Sequence, residues 1–351
     1  MNPTKSRWPR WAPWCVVALL AVFPLVAPVF GIDFYVGFVR RMLIFAIAAA
    51  SLNFILGYGG LAVLGHAGFV GVGAYALVAF VDANVSSAWI VWPGAMAASA
   101  LMGLLIGLVA LRTKGIYLIM STLAFAQMLY VIAVSLRKYG GDDGYTLSQP
   151  TSFAFGYSTA DNRFFYWTVL LLFVSAMAVL NLATRSRLGH ALMGIRDNEV
   201  RMQALGYPVF ALKLAAFTGA AAIAGLAGAL LAAHNSFVSP AIMHWTQSAT
   251  LLVMVLIGGA GLRYGGPIGA VVWIGLEEVA RLHTEYWHWP LGVVLLIVTF
   301  AAPRGIATIR LWRARSGSSM DASAAPVASP VTSPTPAVGP SPRPTPVGEP
   351  G

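Results

Sequence analysis

Apolar residues run along this chain in long blocks rather than in short alternating patterns. The blocks cover residues 14–30, 42–57, 61–81, 89–111, 115–136, 164–183, 213–234, 248–262, 266–281 and 289–302. A helix rises ~1.5 Å per residue and the hydrocarbon core of a bilayer is ~30 Å thick, so a crossing helix needs about 17 residues or more. Most blocks reach that length. Those at 42–57, 248–262, 266–281 and 289–302 do not, and read either as parts of longer helices or as partial spans buried in protein. The pattern predicts an all-α, polytopic membrane helix bundle of about ten spans, with eight or nine as alternatives.

Composition sharpens this reading. Of 351 residues, 58% are hydrophobic and 10% charged, and the mean hydropathy is +0.75. A soluble domain carries roughly 25% charged residues. There is too little polar surface here to cover a soluble core, which argues against a soluble enzyme, a collagen or a disulfide scaffold. The single cysteine, Cys15, allows no internal disulfide and reads as buried apolar filler. Lys5, Arg7 and Arg10 before the first block resemble a signal peptide, but the block has spanning length and no small-residue cleavage site follows, so it reads as an uncleaved first span.

The net charge of +10 falls into place once the spans are alternated. With the N-terminus inside, only Arg40, Arg41, Arg137, Lys138, Arg163 and Arg281 of the 22 Lys and Arg lie outside; the other sixteen lie inside. That is the positive-inside bias, so both termini read as cytoplasmic and the basic charge calls for no nucleic acid. Arg40 and Arg41 are expected to snorkel toward headgroups. The expected organisation is a basic cytoplasmic N-terminus at 1–13, a transmembrane domain at 14–315, and a Pro-, Ser- and Ala-rich tail at 316–351 that has too few large apolar residues to form a core and is expected to be disordered.

Chemistry-bearing residues inside the blocks are few. Glu277 and Glu278 are the only carboxylates well inside a predicted helix, either as an ion site or as an end pair neutralised by Arg281 at i+4 and i+3. No G-x-x-x-x-G-K-[ST] is present, so any ATP hydrolysis belongs to another polypeptide. Neither catalytic residues nor a metal site are indicated; the six histidines lack ligand spacing. Two small-residue stripes, Ala95/Ser99/Gly103/Gly107 and Ala221/Gly225/Ala229, suit close helix packing, whether static or sliding. Glycine-rich breaks occur at residues 57–60 and 258–266, at positions that are not equivalent in the two halves.

Three groups of residues stand out as candidate sites. His66, Ser121, Thr122 and Gln127 are polar positions within the spans, each able either to face a solute path or to bond a carbonyl one turn back. His66 is the most suspect, because it sits among glycines where backbone groups open toward a cavity. The inner loop 184–212 reads as a helix N-capped by Ser186 and ended by Gly206 and Pro208. It carries Arg196, Asp197, Asn198 and Glu199 and is either a solvated connector or a helix that docks into a partner. The outer loop 137–163 holds Gly141, Asp142 and Asp143, a partner contact or an ordinary turn.

Five ordered segments bear a resemblance. Gly57-Tyr58-Gly59-Gly60-Leu61 through Leu64-Gly65-His66-Ala67-Gly68-Phe69 and Gly71-Val72-Gly73-Ala74-Tyr75 resembles the "GYAGQ-SLGHAAFFGIGAY" signature of branched-chain amino-acid ABC transporter permeases. Gly115-Ile116-Tyr117 with Thr122-Leu123-Ala124-Phe125 resembles "RGIYF-TLAF". The stretch from Ser186-Arg187-Leu188-Gly189 to Arg196-Asp197-Asn198-Glu199 and Ala204-Leu205-Gly206 resembles "SRFGRALRAIRDNE-ALG". Lys213-Leu214-Ala215-Ala216-Phe217 with Ala224-Gly225-Leu226-Ala227-Gly228-Ala229 resembles "KLLAF-AGLAGAL". Gly265-Gly266-Pro267-Ile268-Gly269-Ala270 resembles "GG-GTLWGPVLGA". Departures include His190 in place of an arginine and Leu262-Arg263-Tyr264 in place of "GTLW".

The Arg-Asp-Asn-Glu loop and extra first span resemble the M-type subunit of the high-affinity Leu/Ile/Val system. That resemblance implies an importer subunit in a bacterial cytoplasmic (inner) membrane. Its expected partners are a homologous second permease subunit, two ATP-binding subunits holding ATP and Mg, a periplasmic solute-binding protein and membrane lipid. In this frame 184–212 is the coupling loop, with Arg196, Asp197, Asn198 and Glu199 on the ATPase. His66, Ser121, Thr122 and Gln127 line the substrate path, and Gly141, Asp142 and Asp143 meet the binding protein. Related permeases carry urea, amides or aromatic acids. A stand-alone secondary carrier or facilitator remains the alternative from another class. A membrane enzyme built on His283, Glu285 and His288 is a third, although that cluster fits an interfacial belt with Trp287 and Trp289.

Overall fold

A computed structural model of the chain describes residues 12–26, 33–147, 149–153, 158–159, 161–283 and a few positions between 286 and 296. All of these belong to one compact unit, Met1–Ile309. The block at 289–302, most of the basic N-terminus and the tail 316–351 fall largely or wholly outside the described residues.

Helices occupy almost all of the described chain. α1 is Ala12–Val26, α2 Asp33–Asn53, α3 His66–Asp82, α4 Ala88–Ala110, α5 Ile116–Ser135 and α6 Asn162–Arg185. Two short helices follow, α7 at Arg187–Asp197 and α8 at Glu199–Ala204, then α9 at Val209–Asn235, α10 at Trp245–Gly258 and α11 at Gly265–His283. One two-stranded ribbon, β1 (Tyr145–Thr146) against β2 (Phe237–Val238), pairs Tyr145 with Val238 antiparallel. Among the described residues, five helices are long and apolar enough to cross a membrane: Tyr35–Tyr58, Ala88–Ala110, Ile116–Ser135, Asn162–Arg185 and Val209–Asn235.

Two of the expected blocks change length, for identifiable reasons. The block at 42–57 becomes a full-length helix, because α2 begins at Asp33 and continues as a π-turn, Phe54–Tyr58. The block at 61–81 loses its first residues: Gly60 sits at φ +66°, and 59–65 is non-helical, so α3 starts only at His66. Since His66 hydrogen-bonds Ser51, which lies almost two turns before the end of the α2 helix, α3 begins part-way along the bundle rather than at its end.

α9 is the hub, packing against α3, α4 and α2. Small residues make up more than half of what it buries, among them Ala220, Ala221, Ala224, Gly225, Ala227, Gly228, Ala229 and Ala232. The two stripes of small residues meet here. A Cβ at Gly225 would collide with Ser99 of α4, and one at Gly103 would reach the Ala221 methyl at 2.5 Å. On the other side, Cβ atoms at Gly73 and Gly228 would overlap the facing backbones of α9 and α3. Backbones at this separation are held by dispersion and by weak polar contacts such as Ser99 Oγ donating to the Phe69 carbonyl at 3.0 Å.

Three placements correct the sequence reading. Cys15 is exposed on α1 rather than buried. Arg40 does not snorkel; it is 8% exposed, its Nε donating to His234 Nδ1 at 2.9 Å and its Nη1 to Asn162 Oδ1 at 2.8 Å, with the Phe165 ring 4.6 Å away. The 184–212 segment is two helices rather than one. Ser186 does hold the N-cap position of α7, but its hydroxyl donates back to the Ala183 carbonyl. Asn198 leaves helical geometry (φ −159°) and its Oδ1 caps the Arg201 N–H, starting α8.

Gly225→Ala is expected to destabilise the bundle by about 1–3 kcal/mol through overpacking. Adding Ser99→Gly, which removes the colliding side chain, should restore most of that loss, as measured by thermal unfolding in detergent.

Candidate functional site

Two interruptions of helical backbone lie against each other at the end of the bundle that carries α7 and α8. The first is the π-turn and the non-helical 59–65 that follow α2; the second is the turn 259–264 between α10 and α11. They approach so closely that a Cβ at Gly57 would overlap the Gly261 backbone. Asn53, buried in α2, bridges them: Gly261 N–H donates to its Oδ1 at 2.9 Å, and its Nδ2 donates to the Leu262 carbonyl at 2.8 Å. Gly261 takes φ +81°, which only glycine adopts cheaply. Arg263, in the same turn, donates through Nε to Asn181 Oδ1 of α6.

Arg196, from the end of α7, completes this junction. Its Nη1 donates to the Gly57 carbonyl, and its stem lies where a Cβ on Gly60 would sit, 2.8 Å from Arg196 Cγ. Gly60 is therefore required twice, for its positive φ and for the space the arginine fills. Glu199 is tied inward as well, to Lys213 at the start of α9 (2.8 Å) and to Lys114 in the α4–α5 turn (3.0 Å). Burial pushes its carboxyl up, but the hydrogen bonds and charges of Lys213 and Lys114 outweigh that and hold it below the usual glutamate range. Asp197 is exposed, and Asn198 is spent on the α8 cap. α8 and the following turn offer apolar side chains outward, Val200 73% exposed, Leu205 65% and Tyr207 48%, beside the exposed Arg201 and Gln203.

The expected path residues fall in two places. His66 is fully buried at the first turn of α3. Ser51 Oγ donates to the Ala48 carbonyl at 2.8 Å, so the 2.8 Å contact between Ser51 Oγ and His66 Nε2 is an N–H donation by the histidine, leaving Nδ1 as a bare acceptor. That Nδ1 is buried without a partner among the described residues. Thr122 belongs with it: its Oγ1 donates to the Ile119 carbonyl and accepts from the Leu64 N–H at 3.2 Å, pinning the segment that leads into α3. The Ala67 N–H is held by Ser248 Oγ of α10 at 3.0 Å. Ser121 faces elsewhere, bonded to the Leu118 carbonyl at 3.1 Å, with Thr113 Oγ1 3.5 Å away. Gln127 is half-buried, its Oε1 without a hydrogen-bond partner among the described residues.

At the opposite end, Gly141, Asp142 and Asp143 form one 3₁₀ turn with both carboxylates exposed. Gly140 and Gly144 bound the turn with φ near +83° and +82°, and β1 pairs with β2 directly after it. Beneath this loop a cavity of about 220 Å³ opens between the ends of α3 and α9, lined by Leu77, Leu147, Thr151, Thr159, Ala233 and Ser236. Glu277 is paired with Arg281 (2.6 Å) and Arg41 (3.4 Å), which makes it an end pair rather than a free carboxylate. His283 bonds the Val279 carbonyl; Glu285, Trp287 and His288 lie outside the described residues. No group of three or more His, Cys, Asp or Glu converges among the described residues.

Apolar helices around two backbone breaks, with a polar loop clasping one end, define a multi-pass membrane protein of permease architecture. The chain belongs to the family described as branched-chain amino acid transport system / permease component, whose model matches residues 34–302. It is 31% identical over 287 residues to the high-affinity branched-chain amino acid transport system permease protein LivM of Salmonella typhimurium, covering 75% of this chain and 68% of that one. Its identity to the protein of the same name from Escherichia coli K12 is 32% over 289 residues, with the same coverage. A probable branched-chain amino acid transport permease protein LivM from Methanocaldococcus jannaschii is 22% identical over 228 residues, covering 59% of this chain and 66% of that one. No solved structure matches.

Sequence reading missed Asn53, Arg263 and Lys213 as parts of the site. Only the spatial meeting of two glycine breaks reveals the role of Asn53. Because Glu199 is held below the usual glutamate range, its tie to Lys213 and Lys114 holds at neutral pH and is lost as pH falls through the lowered value. A nitroxide at Val200→Cys, in a Cys15→Ser background, should show constant mobility around neutral pH and rising mobility only once pH falls below the usual glutamate range. Adding Glu199→Gln should raise mobility at every pH.

Proposed function

We propose that this chain is one permease subunit of an ATP-binding-cassette importer that moves branched-chain or related amino acids inward across a bacterial cytoplasmic membrane. A homologous permease subunit completes the pathway, two ATPase subunits hold ATP and Mg, and a periplasmic binding protein delivers the substrate. The observation that carries this is the family match over residues 34–302, supported by the docked pair α7–α8 on an otherwise apolar bundle. The end bearing α7 and α8 is then cytoplasmic, which agrees with the excess of Lys and Arg on that side.

In this reading the ATPase is met by α7 and α8, with Arg196, Asp197, Asn198 and Glu199 at the centre of the segment. Asp197 and the apolar side chains of Val200, Leu205 and Tyr207 supply the outward contact, while Arg196 and Glu199 face the permease itself. An apolar patch rimmed by charge suits a groove on a soluble subunit. His66, Thr122, Ser121 and Gln127 serve the solute path. The bare Nδ1 of His66 is an acceptor suited to an ammonium donor, and Gln127 Oε1 is a second. A zwitterion is costly in hydrocarbon, so unpaired acceptors near a helix break are where its charge is best met. The turn at Gly141, Asp142 and Asp143 is the contact for the binding protein.

The decisive experiment is reconstitution of the chain with and without its partners in proteoliposomes. Concentrative uptake of leucine, isoleucine or valine is expected only with the full set and ATP. Uptake against a gradient by this chain alone would establish a secondary carrier instead. Val200→Asp with Leu205→Asp is expected to abolish co-purification of the ATPase while leaving membrane insertion unchanged. Asp142→Lys with Asp143→Lys should weaken stimulation of ATP hydrolysis by the binding protein.

A further inference from the structure

The junction of the two backbone breaks has a feature that docking alone does not require. Arg196 reaches away from the surface on which α8 presents Val200 and Leu205, and donates to a carbonyl inside the bundle, that of Gly57. Gly57 touches Gly261, and Gly261 is held by Asn53. A Cβ placed at Gly261 would lie 3.3 Å from Arg196 Nη1 and 3.2 Å from the Gly57 carbonyl oxygen, so the guanidinium bonds one break and lies against the other. α2, α10, α11 and the end of α6, through Asn181 and Arg263, all converge on this point.

We propose that Arg196 is a positioning residue that latches the two glycine-bounded breaks together, so that displacement of α7 by the ATPase opens the cytoplasmic end of the permease. The proposal rests on reading α7–α8 as the ATPase-docking segment. The chemistry suits a latch. The Gly57 carbonyl belongs to a π-turn, where the regular ladder is disturbed and carbonyls seek other donors. A charged donor makes a stronger bond than a neutral one, yet it is a single contact that a movement of a few ångströms breaks. Around it the glycines at 57, 60 and 261 carry no side chains, so once the arginine withdraws the Asn53 bridge alone spans the two breaks.

The test is the complete transporter in proteoliposomes, with ATP hydrolysis and uptake measured together for Arg196→Ala and Arg196→Lys. Loss of one charge-assisted hydrogen bond shifts a closed-to-open balance about tenfold. Arg196→Ala is therefore expected to lower solute moved per ATP by about that factor while hydrolysis continues, and Arg196→Lys, which keeps one cationic donor, should recover much of it. Hydrogen exchange of residues 257–265 in the full chain in detergent gives a second readout that needs no assembly. Faster exchange in Arg196→Ala, reversed in Arg196→Lys, is expected. An unchanged uptake-to-ATP ratio, parallel loss of uptake and hydrolysis, or unchanged exchange at 257–265 would overturn the latch. None of these touches docking, which the Val200 and Leu205 variants test separately by co-purification.

Discussion

A peptide group released from a helix inside a bilayer finds no water to bond, and that constraint organises this molecule. The chain breaks regular helix after α2 and again between α10 and α11, and several of the freed groups are met by side chains. Thr122 takes the Leu64 N–H, Ser248 the Ala67 N–H, Asn53 both the Gly261 N–H and the Leu262 carbonyl, and Arg196 the Gly57 carbonyl. Those donors and acceptors come from α5, α10, α2 and α7. The breaks are therefore possible only in the assembled bundle, and the polar residues scattered through the apolar helices are the means of tolerating them.

Close packing is the other half of the same arrangement. Starting α3 part-way along the bundle brings Gly71, Gly73 and Val70 against Met243 and α9, where any larger residue would push the helices apart. Glycine in a helix costs about 1 kcal/mol relative to alanine, and α9 and α3 carry several. What offsets that cost is the dispersion gained when backbones meet directly, with Ser99 and Phe69 adding a hydrogen bond across the crossing. The stripes on α4 and α9 are consequently a fixed contact in this structure.

Much of this was legible in the chain and some was not, for a physical reason. Hydropathy and length locate the helices, because burial in lipid selects residue type position by position; the blocks at 89–111, 115–136, 164–183 and 213–234 coincide closely with α4, α5, α6 and α9. The small-residue stripes were visible as spacing. The glycine breaks were visible too, but their non-equivalent positions hid that they meet, since nothing in local spacing links Gly57 to Gly261. The same holds for Arg196 and Gly57, 139 residues apart, and for Arg40 and His234, 194 apart. Charge in a loop reads as surface until its partner is found. Arg40 and Glu199 turned inward to a buried acceptor and a counter-charge, and Arg196, although exposed, reaches the Gly57 carbonyl.

The inward turn of those charges separates two tasks that the loop sequence alone runs together. Recognition of a soluble subunit needs exposed area, and α8 supplies it with Val200 and Leu205. Transmission of force into the membrane needs directional bonds to rigid elements. Arg196 and Glu199 supply those, one to the breaks beside α2 and α10, the other to the starts of α9 and α5 through Lys213 and Lys114. Glu277, the one buried carboxylate among the described span residues, is already engaged by Arg281 and Arg41, so its charge is spent on holding helix ends together. In the proposed assembly a push on α7 runs through Arg196 to the two breaks, and one on α8 runs through Glu199 to the starts of α9 and α5.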